Sequence, residues 1–219
     1  MWRESPLDRQ YHQNMVTIPL IEPTMNGSIQ ITALVREKAT IPYSEFPKLL
    51  NAHLARNKNT PALEAKGYAL RTSRTIKWAE LEAFIKEVCG WGDYSGISGR
   101  VIKNNSQSLI MNSVRDAISK LGSTPPDLIG ALNSMLQIEE LGVSFASKHL
   151  RFLLPEHCPV LDSILSYRLF YELSPDGYKS FAAACAGIAD EINAATVACP
   201  FPGQVKWRPT TSRQRSTHG

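Results

Sequence analysis

The sequence predicts a mainly all-α protein with at most a small β element near its N-terminus. Three observations predict it. Apolar residues recur at spacings of three and four through most of residues 43–192. Glycine and proline cut that span into pieces of helix length. Alternating β-branched residues are confined to 28–36, SIQITALVR.

The elements follow in order. Residues 1–40 are interrupted by Pro6, Pro19, Pro23 and Gly27 and read as an N-terminal extension, in which 28–36 forms a short strand or hairpin. The helical domain is expected over 41–202. Its first helix covers 43–54, with Phe46, Leu49, Leu50 and Leu54 on one face. Residues 53–62 read as a polar joint. Across 53–77 lie six basic residues (Arg56, Lys58, Lys66, Arg71, Arg74, Lys77) and one acid, Glu64, either a phosphate-contacting surface or a flexible loop. A strong amphipathic helix covers 75–88, with Leu81, Phe84, Ile85 and Val88 inward, and ends at Gly90. Residues 91–100 hold three glycines and two aromatics and read as a loop. Helices then cover 105–121 (Leu109, Val114, Ala117, Ile118) and 127–139 (Leu128, Leu132, Met135, Leu136).

The most informative stretch is 141–163, LGVSFASKHLRFLLPEHCPVLDS. Gly142 permits a tight turn. Apolar positions from Phe145 to Leu153 suit one helix face, and Pro155 stops that helix. Asp162 precedes Ile164, Leu165, Leu169, Phe170 and Leu173 at helical spacing, so it reads as an N-cap, where the helix terminus favours a carboxylate. Lys148 thus lies within one helix and Asp162 at the mouth of the next. A last helix over 178–192 carries Phe181, Cys185, Ile188 and Ile192, and 203–219 reads as a basic, flexible tail.

Composition narrows the function classes. With 43% hydrophobic and 20% charged residues, the 219-residue chain is of ordinary globular type. No run approaches a membrane span and the first residues lack a signal-peptide core, so a cytoplasmic protein with no membrane partner is expected. Cys89, Cys158, Cys185 and Cys199 are scattered without metal-site spacing, so neither a metal nor another cofactor is expected. The net charge of +4 is unevenly placed: residues 36–120 carry +6, 121–202 carry −5 and 203–219 carry +4. A basic centre and tail suit a polyanion such as DNA, although a solvated charge distribution would look the same.

The pattern Gly142-Val143…Ser147-Lys148-x-Leu150-x-Phe152-Leu153-x-Pro155…Pro159-x-x-Asp162-Ser163 resembles the helix-hairpin-helix DNA glycosylases. The nearest likeness is to their bacterial 8-oxoguanine-glycosylase-like branch. Glu87-Val88-Cys89-Gly90-Trp91-Gly92 and residues 97–103 are similar to that branch too. The resemblance implies a monomeric enzyme acting on double-stranded DNA. Lys148 would attack the sugar C1′ of an extruded nucleotide, and Asp162 would steady the positive charge developing on that sugar. This chemistry needs a fixed carboxylate near an oxocarbenium-like sugar and an amine made nucleophilic by losing its proton. Backbone N–H groups at a turn opening a helix can hold a phosphate, so Gly142, Val143 and Ser144, with Arg100 and Lys103, are the candidates for contact with the DNA backbone. Trp91 and Tyr94 would face the extruded base, against the alternative that Trp91 plugs the core.

The sequence departs from the family hairpin. Glu140-Leu141-Gly142-Val143-Ser144 stands where the family has Leu-Pro-Gly-Val-Gly. Aligned on Gly142-Val143, the lysine column falls on Ala146, and the two-residue offset to Lys148 turns a helical side chain by roughly 200°. Either the turn is built differently, or Asp162 alone supports a monofunctional enzyme in which water attacks. The substrate is then a modified base, with glucosylated hydroxymethylcytosine of phage DNA, in antiviral defence, ahead of 8-oxoguanine in repair. A non-catalytic DNA-binding protein of this fold and a helical protein with no nucleic-acid role are the rivals.

Overall fold

The computed structural model describes residues 21–24, 27–32 and 38–199. The chain is mostly helical, as its apolar spacing predicts. Three short antiparallel strands come first, β1 (Ile21–Thr24), β2 (Ser28–Thr32) and β3 (Lys38–Pro42), in the order β1-β2-β3. Ile21 pairs with Ile31 and Ser28 with Pro42, so the expected strand within 28–36 exists, but as the centre of a small sheet. β3 runs across residue 40, where the extension was expected to give way to the helical domain. Residues 1–20 and the basic tail 203–219 lie outside the described residues.

A 3-10 turn (Tyr43–Glu45) leads into nine α-helices among the described residues: α1 (Phe46–Arg56), α2 (Thr60–Thr72), α3 (Trp78–Trp91), α4 (Gly96–Asn104), α5 (Gln107–Leu121), α6 (Leu128–Met135), α7 (Val143–Leu153), α8 (Ser163–Leu169) and α9 (Pro175–Ala194). Two of these differ from the sequence reading. The stretch expected as a polar joint or loop contains α2, opened by Pro61 in its first turn and held by the buried Leu63, Gly67 and Leu70. Its apolar stripe is thin, and the surrounding basic residues hide it. The glycine-rich loop over 91–100 shrinks to residues 92–95, because Trp91 completes α3 and Gly96 opens α4.

Helix α7 lies at the centre. It packs against α2, α3 and α6, and eight of its eleven residues are buried. Being surrounded, it buries polar residues that a half-exposed helix would leave in water: Ser147, Lys148 and His149. The contact with α2 is the closest. A Cβ on Gly67 would stand 1.9 Å from the Phe152 carbonyl oxygen, so only glycine allows the two backbones to meet there.

The expected faces of α3, α5 and α9 hold at Leu81, Phe84, Ile85, Val88, Val114, Ala117, Phe181, Ile188 and Ile192, all buried. Two flanking helices are less buried than their patterns suggest. In α1, Leu49 is exposed and only Phe46 and Leu50 reach the core edge. Helix α8 ends at Leu169, where Phe170 takes a left-handed conformation (φ 58°); Ile164 within it and Leu173 beyond it are both exposed.

Candidate active site

The turn before α7 is built differently from the sequence reading. Gly142 was expected to supply the unusual backbone conformation. Its φ is −67°, open to any residue. The left-handed residue is Glu140, with φ 77°. Glu140 is held there by its side chain: Oε2 accepts from Arg100 Nε at 2.8 Å and Oε1 from Asn104 Nδ2 at 3.1 Å. One residue earlier, the Asn105 amide pairs with the Glu139 backbone like a strand partner. Its Oδ1 accepts from the Glu139 N–H at 2.9 Å and its Nδ2 donates to the Glu139 carbonyl at 3.1 Å. The α4–α5 joint therefore clamps the hairpin with side chains, where a proline-glycine turn would be set by its own backbone.

Gly142 is exposed, and a Cβ there would meet no atom within 4 Å. Among the described residues, nothing requires glycine at this position. It is the N-cap of α7, has no side chain to cap the helix, and leaves the first N–H groups of α7 without an intrahelical acceptor. Val143 is buried and Ser144 half-buried behind it. Arg100 and Lys103 are exposed on the neighbouring α4, Arg100 tied to Glu140.

Lys148 and Asp162 meet. Lys148 Nζ lies 3.7 Å from Asp162 Oδ2. The lysine is 6% exposed, and its amine donates to Ser144 Oγ at 3.2 Å and sits 4.7 Å from the Phe145 ring centre. Its aliphatic stem packs on Gly92, where a Cβ would come 3.0 Å from Lys148 Cδ. Gly92, one of the three glycines of the expected 91–100 loop, thus makes room for the lysine.

Asp162 caps α8 as expected, with Oδ1 accepting from the Leu165 N–H at 2.9 Å. Ser147 fixes the approach to it: its hydroxyl donates to the Leu161 carbonyl at 3.2 Å and accepts from the Leu161 N–H at 3.1 Å. One turn of α7 therefore carries both the lysine and the serine that places the aspartate.

Asp162 opens on a cleft of about 410 Å³, within the range of small-molecule sites. Trp91, His53, Arg151, Cys158 and Leu165 also line it. Trp91 is both wall and plug: it is half-buried, stands edge-on to Phe152 with ring centres 4.9 Å apart, and donates its indole N–H to Thr60 Oγ1 at 2.9 Å. Tyr94 does not line this cleft. It is exposed beside Arg100, whose guanidinium lies 5.5 Å from its ring centre.

Sequence reasoning missed His53 and Arg151. His53 reads as part of a polar joint, and the sequence reading does not single out Arg151. The one available signal for Arg151 was Glu64, a lone acid among six bases; the structure pairs it with Arg151 at 2.5 Å, on the α2–α7 contact. Burial, and then the nearby Arg151, lower the pKa of His53. Burial pushes Cys158 up to about 12, so the thiol in the cleft wall is protonated at neutral pH.

Among the described residues, no cluster of three His, Cys, Asp or Glu could hold a metal ion, and no helix is long and apolar enough to cross a membrane. No family model, curated protein or solved structure matches the chain.

Proposed function

We propose that the protein is a DNA glycosylase of the helix-hairpin-helix type, with Lys148 and Asp162 as its catalytic pair. One observation carries the reading: a buried lysine amine stands 3.7 Å from the carboxylate that caps the next helix, at the edge of a ligand-sized cleft. The sequence resemblance pairs these same two residues. Their meeting supports the reading in which the turn ahead of α7 is built differently, here with Glu140 held by Arg100 and Asn104.

In this reading the exposed Gly142 and the N-terminus of α7 approach a DNA phosphate, with Arg100 and Lys103 alongside. That contact accounts for a glycine that the described residues do not require. The target nucleotide is extruded and its base enters the cleft beside Trp91. Lys148 attacks C1′ as the N-glycosyl bond breaks and the electron pair leaves with the base. Asp162 offsets the positive charge on the sugar. The departing base takes up the proton lost by the attached amine, the C1′–O4′ bond then opens to give an imine between Lys148 and the sugar, and water releases it as an abasic site or elimination cleaves the strand.

The substrate we favour is a cytosine with a bulky 5-substituent, such as glucosylated hydroxymethylcytosine of phage DNA, which places the enzyme in antiviral defence. The test is base release from duplexes carrying that base or 8-oxoguanine, each treated with parent, Lys148→Ala and Asp162→Ala protein and then with alkali. Release from the modified-cytosine duplex alone, lost in both variants, supports this reading. Release from 8-oxoguanine alone moves the enzyme to repair. DNA binding unchanged in both variants, with no base release by the parent, identifies a non-catalytic DNA-binding protein instead.

A further inference from the structure

The cleft wall opposite chemistry of this kind must read the base, and two of its side chains have hydrogen-bond donors to spare. The first is Arg151. Its Nη2 is committed to Glu64 Oε1, whereas its Nη1 is buried with no hydrogen-bond partner among the described residues, although the side chain lines the cleft. A buried cationic N–H without an acceptor is costly to keep and calls for a partner.

The second is His53, whose tautomer follows from Asn57. The Asn57 Nδ2 donates to the His53 carbonyl at 3.1 Å, which identifies that atom as nitrogen. The same Nδ2 lies 3.3 Å from His53 Nδ1, so Nδ1 is the acceptor there. In the neutral ring the proton therefore sits on Nε2. Burial and the neighbouring Arg151 both favour that neutral ring.

We propose that Arg151 and His53 read the base through two N–H donors, and so select a base with two adjacent acceptors, the O2/N3 edge of a cytosine. This rests on the glycosylase reading and names the residues that give it specificity. A uracil or thymine places an N3–H where cytosine has an acceptor, and that hydrogen would face the Arg151–His53 pair. A 5-substituent lies away from this edge and leaves it unchanged.

A matched pair of substrates tests the assignment: one duplex with glucosylated 5-hydroxymethylcytosine, one with glucosylated 5-hydroxymethyluracil. The bulk is the same and only the reading edge differs. Parent protein is expected to release the cytosine form at least about tenfold faster. Arg151→Lys keeps a cation beside Glu64 but loses the planar fork that holds a second donor apart from it; His53→Leu removes the other donor. Each should reduce that preference severalfold, and His53→Gln, which retains a donor, should restore it. Binding to a duplex with a tetrahydrofuran abasic analogue, which has no base to read, should change less than twofold in all three variants.

Equal release of the two bases by the parent overturns the assignment and leaves the glycosylase reading standing. Unchanged preference in Arg151→Lys and His53→Leu also overturns it, as does a matching loss of abasic-duplex binding. A parent that releases neither base contradicts the glycosylase reading, and this inference falls with it.

Discussion

Asp162 divides its carboxylate between two neighbours: Oδ1 caps α8 at the Leu165 N–H, 2.9 Å away, and Oδ2 faces Lys148 Nζ at 3.7 Å. A structural task and a chemical one are thus joined in one side chain, and substitution separates them. Asp162→Asn keeps a good cap and loses the charge. It should cost about 2 kcal/mol, less than the roughly 3–5 kcal/mol of a fully buried pair because Asp162 is partly exposed. Asp162→Ala should cost about 1 kcal/mol more for the lost cap. Base release should fall by about 100-fold or more in both variants. Urea unfolding and single-turnover assays on the three proteins measure the two effects.

Gly67 sets the distance between α2 and α7. Its replacement by alanine drives a methyl group into the Phe152 carbonyl, and backbone cannot swing aside as a side chain can. Gly67→Ala should therefore destabilise by about 3 kcal/mol, outweighing the fraction of a kcal/mol that alanine adds to helix propensity. Any folded fraction should show reduced activity, because Arg151 and Phe152 move together. Thermal unfolding and circular dichroism check this.

His149 makes stability depend on pH. Its Nδ1 donates to the Phe145 carbonyl at 2.7 Å, its Nε2 is buried without a partner, and burial lowers its pKa to about 4. In the unfolded chain the pKa is about 6.5. Between these values the unfolded state binds more protons, so stability is full above about pH 6.5 and falls as the pH drops toward 4. His149 alone should account for about 2–3 kcal/mol of loss between pH 7 and 4.5. Burial shifts His53 and His157 in the same direction. In His149→Leu, denaturation at the two pH values should show a smaller difference, whatever the change in absolute stability.

The hairpin clamp predicts an effect of Asn105 on DNA binding. Asn105→Ala removes both bonds to the Glu139 backbone and should cost about 2 kcal/mol. The left-handed Glu140 is then held by Arg100 and Asn104 alone, and the α7 N-terminus loses its fixed position. Affinity for an abasic-analogue duplex should fall severalfold, with little change in the salt slope, because no phosphate-binding cation is lost. Fluorescence anisotropy at several salt concentrations measures both quantities.

Much of the helical content was legible because α3, α5, α7 and α9 repeat their apolar residues with a regular period. The cap at Asp162 was legible for the same local reason. What escaped is set by tertiary contact. Helix α2 has two buried leucines and a buried glycine as anchors, too few large apolar side chains to make a clear helical period. The left-handed Glu140 is fixed by side chains from α4 and its junction with α5, about 40 residues away, so the local sequence pointed to Gly142 instead. Arg151 and His53 join the cleft through α2, Glu64 and Trp91, none of them a sequence neighbour. Tyr94 carries the right chemistry for a base-stacking residue, but lies on the α4 side with Arg100.

The central claim is that the Lys148 amine bonds to a DNA sugar. The most direct measurement is borohydride trapping on a duplex carrying glucosylated 5-hydroxymethylcytosine, read as a covalent protein–DNA band and mapped by mass spectrometry. The account predicts a band for the parent protein, with the adduct on Lys148, and none for Lys148→Ala. Base release by the parent with no trapped band, or an adduct on another residue, would contradict it.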